Sequence, residues 1–445
     1  MKPDSPFRDS VGRPVSVARS ADVQADNSWG LVQDTLPPME FSTTSAGESV
    51  RTDLAMLKAF PKSPVTVPAN SHVHLLLDRR TLTTAYPILT VSGGKGARVR
   101  LTYSEALYDK QMRKGDRDEV GDRTAWGLYD VFLPDGGAHR VFEPLWWRTW
   151  RYLDMEIETG AEPLQMESLV AEFTAYPFEE RARFQSGDAE LDKIWDISWR
   201  TARLDAHETY MDTPYYEQLQ YVGDTRIQAL ISYAVAGDDR LARQAIKAFD
   251  QSRIPEGITR SRYPSSLPQN IPTFSLLWVG MQYLGALENA ADLEGAVGDS
   301  TQASRYRDRA THVRSGLYER CWSRSQELLA DNPEQKNFSQ QTNVLAVLYD
   351  VVPKDRQQEI LRKMLDIEPG TTPDGVLSAS HYFRFYLARA LDHAGMGDEY
   401  LRSLDAWRKL LPMHFSTWPE MPGDTRDRLY AGWQDAVRRI RRGGS

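Results

Sequence analysis

The sequence predicts an antiparallel β-sandwich followed by an all-helical domain, because the period of its apolar residues changes from two to helical near residue 180. Turn signals support the same division. Gly93-Gly94, Asp135-Gly136-Gly137 and Gly160 cut the first part into short apolar runs, whereas Gly237-Asp238, Pro353 and Gly395-Met396-Gly397 separate longer ones in the second. The expected domains are a tail or remnant segment over 1–40, a sandwich over 41–180 and a helical catalytic domain over 181–445.

Residues 1–40 hold few apolar residues and several prolines, and read as a tail, a linker or the remnant of a missing strand pair. Strands are expected in SHVHLLLD (71–78), YPILTVSG (86–93), ARVRLTYSEAL (97–107), GLYDVFLPDG (127–136), RTWRYLDMEIE (148–158) and MESLVAEFTAY (166–176). Along 97–107 the two-residue period is clean, with Val99, Leu101 and Tyr103 on one face and Arg98, Arg100 and Thr102 on the other. Trp146, Trp147, Trp150 and Tyr152 alternate well enough for a strand and are expected to pack against the neighbouring domain. From Asp188 a helix forms with Leu191, Ile194, Trp195 and Ile197 on its apolar face. Further helices are expected at about 224–236, 239–252, 273–293, 299–320, 339–350, 355–366, 378–394, 397–411 and 427–441. Helices on short loops with no strand between them pack as antiparallel hairpins in a bundle, a solenoid or a toroid, and the lack of a fixed repeat length counts against a solenoid.

Composition narrows the partners. A chain of 445 residues with 41% apolar content can bury a sizeable core, and its formal net charge of -8 excludes nucleic acid, whose phosphates need a basic footprint. The one basic cluster, RRIRRGG (438–444), reads as a solvated helix end. Cys321 is the single cysteine, so no intrachain disulfide forms, and its place beside Trp322 reads as core. No apolar run reaches the roughly 18 residues of a membrane span. The polar, charged first 20 residues hold no secretory signal, which makes the chain as written cytoplasmic, or periplasmic or secreted if its N-terminus is incomplete. There is no HExxH, and His72 and His74 alternate on a strand-like run, so no metal and no cofactor is expected.

The densest chemistry lies in DTPYYEQLQYVGD, residues 212–224, which holds three carboxylates and three tyrosines between two helical patterns. Pro214 disfavours helix at Thr213, so the stretch reads as a loop opening into the helix near Asp224. Asp212, Glu217 and Asp224 can supply a proton donor and acceptors for hydroxyls, while Tyr215, Tyr216 and Tyr221 offer ring faces on which a pyranose can lie. In the bland reading the acids cap helices and the tyrosines are half-buried spacers. A carbohydrate is the expected partner.

Glycoside hydrolysis needs a second carboxyl group. Glu420 in HFSTWPEMPGD (414–424) is the remote candidate: Pro419 and Pro422 stiffen its backbone, and Trp418 can stack on a sugar and raise the acid's pKa by excluding water. A third loop, PEGITRSRYPSSLPQNIPTF (255–274), brings Arg260, Arg262 and Tyr263 ahead of the helix carrying Trp278, and reads as a connection more readily than as a set of hydroxyl-binding donors.

These segments resemble the family 78 glycoside hydrolases, the inverting α-L-rhamnosidases. The family pattern is Asp-Cys-Pro, a few residues, then Glu-x-x-x-Trp-x-Gly-Asp, and here Asp212-Thr213-Pro214 leads to Glu217, Tyr221, Gly223 and Asp224. The resemblance implies a general acid at Glu217 and a general base at Glu420. It also implies a substrate-binding set of Asp212, Tyr221, Asp224, Trp278 and Trp418, in which Asp212 and Asp224 help to keep Glu217 protonated. It covers roughly residues 45–426 and implies an (α/α)6 toroid after the sandwich. Thr213 in place of Cys and Tyr221 in place of Trp alter the pocket walls and bear on the sugar more than on the reaction class. After Asp424-Thr425-Arg426 the sequence departs from the family, which implies a truncated or frameshifted product with an incomplete toroid. Two other classes fit the same residues: an inactive carbohydrate-binding relative, and a polysaccharide lyase on a similar toroid, which the paired glutamates disfavour.

Overall fold

The apolar runs 71–78 and 86–93, expected as two strands, form one, β4 (His72–Gly93), because no glycine or proline interrupts Arg79 to Tyr86 and its threonines favour extended backbone. A left-handed residue, Arg80 (φ 68°), lies within it. β10 (Arg148–Glu158) pairs with this strand on both sides of Arg80, from His72 to Ala85, while β2 (Glu48–Thr52) pairs with it before Arg80 and β11 (Leu164–Ala175) and β9 (Arg140–Phe142) beyond it. The computed structural model describes residues 35–255, 257–265 and 276–419, with 276–279 described by backbone.

β1 (Glu40–Ser45), β3 (Val65–Val67), β5 (Arg98–Ser104) and β8 (Tyr129–Phe132) complete a nine-stranded antiparallel sheet of order β1-β11-β4-β10-β5-β8, with β2 and β9 also on β4 and β3 on β11. A separate ribbon is made by β6 (Leu107–Tyr108) and β7 (Thr124–Ala125). The two-residue period of β5 holds from Arg98 to Leu101, with Val99, Leu101 and Tyr103 fully buried and Arg98 and Arg100 half-exposed, but Thr102, expected on the face of the arginines, is buried as well. The register of β10 against β4 shifts between Trp150 and Tyr152. This bulge explains why Trp150, Arg151 and Tyr152 are all buried in succession, where simple alternation would expose one of them. Trp150 packs on Tyr103 within the sheet's own core, with ring centroids 5.7 Å apart. Half-exposed Trp146 stacks on Trp147, so the four aromatics do not share the role expected of them.

Arg151 is the one cation among these core residues. Its Nε donates to Asp78 Oδ1 at 3.1 Å, Nη2 donates to Asp78 and Asp118, and Nη1 donates to the His414 carbonyl at 3.3 Å.

The helices are α1 (Ala189–Leu204), α2 (Val222–Val235), α3 (Arg240–Gln251), α4 (Leu276–Val297), α5 (Ser300–Cys321), α6 (Gln340–Leu348), α7 (Lys354–Leu365), α8 (Arg384–His393), α9 (Tyr400–Ser403) and α10 (Asp405–Arg408). The fold divides into two units, one of Tyr176–Arg181 with Asp205–Ile271, the other of Glu40–Ala175, Ala182–Leu204 and Pro272–Ser445.

In the larger unit α4 and α5 form a hairpin, and Asp299 caps α5 by accepting from the Thr301 amide at 2.7 Å. Helix α6 packs on α4, α7 and α8, and Gln340 and Thr342 to Val347 are buried, so it is a central helix rather than an amphipathic surface one. Strands do occur among the helices, contrary to expectation. A hairpin of β12 (Trp322–Ser323) and β13 (Leu328–Leu329) follows α5, and β14 (Phe338–Ser339) pairs in parallel with β15 (Val376–Leu377). They are too short for a periodic signal to show in the sequence. The helix expected from 378 begins at Arg384, because Gln340 Oε1 captures the Ala379 amide at 2.8 Å and holds the preceding chain out of helix. The 397–411 pattern breaks into α9, α10 and 3-10 turns, and the expected 427–441 helix lies outside the described residues. Cys321 is buried, as expected of a core residue.

The last described segment of this unit returns to the sheet. Ser416 Oγ accepts from the Leu82 amide at 2.8 Å, the Met413 carbonyl from Arg117 at 3.0 Å, and the Arg117 guanidinium lies 4.0 Å from the centre of the Phe415 ring.

In the smaller unit α2 and α3 form a hairpin. Gly237 (φ 65°) ends α2 by donating to the Ser232 and Tyr233 carbonyls at 3.0 and 3.2 Å, a left-handed position that suits glycine.

Candidate active site

The loop ahead of α2 is anchored at its root. Buried Tyr210 donates to Ser232 Oγ at 2.9 Å, and Gln228 Nε2 donates to the Met211 carbonyl at 2.6 Å. Asp212 and Leu219 then close the loop with two bonds, Asp212 N to Leu219 O and Leu219 N to Asp212 Oδ1, both 3.0 Å. Inside it Gln218 takes a left-handed backbone (φ 54°) and donates to the Thr213 and Pro214 carbonyls. A short polar loop held this way presents its tip, Glu217, to solvent from a fixed base.

Three of the expected site residues come together here. The Asp212 carboxyl bonds to that of Glu217, and Tyr221 Oη donates to Glu217 Oε2 at 2.9 Å. Tyr221 in turn accepts from Arg262 Nη1 at 2.8 Å. Backbone pairing fixes that contact: Tyr221 and Arg262 form an antiparallel bridge, the Val222 amide donates to Ser261 O at 2.9 Å, and Gln220 Nε2 donates to Tyr263 O at 2.7 Å. Arg262, read from sequence as part of a connecting loop, is thus a member of the cluster. No local spacing could have revealed it, because its partner lies in another loop.

Burial pushes the Asp212 carboxyl up to about 8; the Leu219 amide pulls against this, and the hydrogen bond and charge of Glu217 push it further. Burial thus favours the proton on Asp212. Of the two acids Asp212 is the one withdrawn from water and Glu217 the exposed one.

The tyrosines differ in exposure. Tyr215 is buried and packs edge-on against Tyr216 with centroids 4.2 Å apart, whereas Tyr216 is 40% exposed. Asp224 sits in the first turn of α2, where a carboxylate complements the helix N-terminus. In the larger unit, Trp418 is bound to α1, its Nε1 donating to Ser198 Oγ at 2.8 Å and its amide to Thr201 Oγ1 at 2.9 Å. Glu420 and the Trp278 side chain lie outside the described residues, although Trp278 falls on α4. No helix among the described residues is long and apolar enough to cross a membrane.

Residues 179–283 match the model of the bacterial alpha-L-rhamnosidase 6 hairpin glycosidase domain. The fold is similar to that of a rhamnosidase from Klebsiella oxytoca solved with rhamnose bound, at a TM-score of 0.70 and 15% identity, over 87% of this chain and 90% of that one. It is also similar to a family 78 rhamnosidase of Bacillus sp. GL1 (TM-score 0.66, 17% identity, 82% of this chain and 44% of that one). The α-L-rhamnosidase of Streptomyces avermitilis, complexed with L-rhamnose, gives a TM-score of 0.60 at 16% identity over 81% and 40%. The chain thus spans less than half the length of the Bacillus and Streptomyces proteins. Among curated protein sequences it has no match. The chain thus has a fold similar to that of the family 78 α-L-rhamnosidases over most of its length, and the stretch holding Asp212, Glu217 and Asp224 matches the rhamnosidase domain model.

Proposed function

We propose that the protein is a glycoside hydrolase that removes a terminal α-L-rhamnosyl or related residue with inversion. The observation that carries this reading is that the paired carboxyls of Asp212 and Glu217 lie inside the segment matching the rhamnosidase domain. Glu217, exposed at the loop tip, delivers a proton to the glycosidic oxygen. Asp212 stores that proton and returns it through the bond between the two carboxyls. Glu420 draws a proton from water on the opposite face of the sugar, which requires its carboxyl to stand about 6.5–9.5 Å from that of Glu217. Asp224 binds sugar hydroxyls, and Tyr221, Trp278 and Trp418 line the sugar site.

Tyr221 and Arg262 orient the acid. A carboxylate bonded by a tyrosine that is itself held by a guanidinium keeps one rotamer, as a positioned proton donor requires.

The test is hydrolysis of an aryl α-L-rhamnoside by the purified protein, with NMR identifying the anomer released first. The reading expects β-L-rhamnose initially, and loss of turnover in Glu217→Gln and Glu420→Gln. First release of the α-anomer would refute inversion. Rhamnose binding without turnover in the unsubstituted protein would instead mark a carbohydrate-binding relative.

A further inference from the structure

One face of the β4–β10 pair carries side chains that the proposed reaction does not use. The two-residue period of β4 puts His72 and His74 on the same face, and the register sets Glu156 of β10 directly opposite His74. His72 Nε2 lies 3.0 Å from Glu156 Oε1, the imidazole centroids are 5.3 Å apart, and the donor atoms of all three residues lie within 4.8 Å of one another. Asp154, two residues from Glu156 and on the same face, holds Oδ2 3.8 Å from His74 Nδ1.

Zinc bonds of about 2.0–2.2 Å to nitrogen and carboxylate oxygen place neighbouring tetrahedral donors roughly 3.3–3.6 Å apart. The separations here bracket that range. The side chains of His72 and His74 are 57% and 48% exposed, so each ring can turn to close the remaining gap. Their backbones cannot drift, because along these residues β10 is paired on both sides, with β4 and β5.

We propose that His72, His74 and Glu156, with Asp154 as a fourth donor, form a binding site for a zinc-class divalent cation. Two imidazoles with carboxylates favour zinc, nickel or copper over magnesium and calcium, which prefer oxygen alone. The sequence reading set the histidines aside for want of helical spacing; alternate residues on a strand bring two imidazoles together equally well. Arg98 and Arg100 stand 3.8 and 3.7 Å from Glu156 and compete for it, but both pairs are long, and Arg98 keeps Glu158 at 3.5 Å when Glu156 turns to the cation. Such exposed ion pairs contribute little.

The experiment is equilibrium dialysis of zinc chloride against the chelator-treated full chain and two variants. His72→Gln with His74→Gln removes the donors at exposed positions that carry no core packing. His139→Gln removes an exposed histidine bound instead to Glu167, and controls for adventitious surface binding. One zinc per chain is expected in the unsubstituted protein and in His139→Gln. Affinity should fall roughly tenfold or more in the double variant, since loss of a mere outer-shell partner already costs about 10–100-fold. Circular dichroism of each variant reports that it is folded. Absence of saturable binding, equal binding in the double variant, or loss confined to His139→Gln would each overturn the site.

Discussion

Tyr221 donates its phenolic hydrogen to Glu217 Oε2 at 2.9 Å while accepting one from Arg262 at 2.8 Å. A phenylalanine in its place keeps the ring and removes both bonds. A hydrogen bond to a charged group is worth about 1.5–3 kcal/mol, so Tyr221→Phe should lower kcat roughly tenfold to hundredfold on an aryl rhamnoside. KM should change little if the hydroxyl serves the acid rather than the sugar. An unchanged kcat with a raised KM would make Tyr221 only a sugar-contacting ring.

Asp212 carries the pH dependence of the site. Its carboxyl moves from an ordinary value near 3.8 up to about 8, chiefly through burial. Between those values the folded chain binds a proton that the unfolded chain has released, so stability falls as pH rises and the loss is complete above about 8. Asp212→Asn replaces the protonated acid by an amide that can still donate to Glu217 and accept from Leu219. The variant should show a flatter stability profile between about pH 4 and 8, and its melting temperature should gain on the unsubstituted protein toward the alkaline end. Denaturation scans across that window decide the matter; parallel profiles for the two proteins would remove Asp212 as the titrating group. Activity should fall in the same variant, because an amide holds no proton to pass to Glu217.

Much of the fold was legible in the sequence, and the gaps have physical causes. Val99, Leu101 and Tyr103 announced their strand because one of its faces is buried and the other is wet at Arg98 and Arg100. Trp150, Arg151 and Tyr152 obey no alternation, since a bulge turns consecutive side chains inward, and β4 read as two strands because the left-handed bend at Arg80 lies in a polar stretch in mid-strand. At the site, Asp212, Glu217 and Tyr221 were visible as one acidic, aromatic loop. The direction of the proton between the two acids was not, because it depends on which carboxyl the folded loop takes out of water. Arg262 was invisible as a partner for the same kind of reason: a bridge between two loops puts it beside Tyr221, and no periodicity records such a bridge.

The ion pair of Arg151 and Asp78 offers a test of the sheet's interior. Their side chains are 2% and 0% exposed, and Asp78 also accepts from the Arg80 amide at 2.7 Å, next to the left-handed bend of β4. Removing one member strands the other's charge, so Arg151→Ala should destabilise by about 3–5 kcal/mol. Replacing both by apolar residues, Arg151→Met with Asp78→Leu, should recover much of that loss, leaving half-exposed Asp118 to water. Urea denaturation of Arg151→Met, Asp78→Leu and the double variant measures the cycle. A double variant as unstable as the sum of the single ones would show that the residues act independently.

Gly285 and Gly316 sit in the interiors of α4 and α5 and should respond oppositely to alanine. Helix propensity alone favours alanine at both by about 0.8–1 kcal/mol. A Cβ at Gly285 would meet the ring of Tyr349, which is buried at the end of α6, whereas nothing lies within 4 Å of the corresponding point at Gly316. Overpacking of a closed contact costs about 1–3 kcal/mol, which outweighs the propensity gain, and the aromatic ring cannot yield as a flexible side-chain end would. Gly285→Ala should therefore lower the melting temperature and Gly316→Ala raise it. Stabilisation by Gly285→Ala would mean that α4 and α6 stand farther apart than this close approach implies.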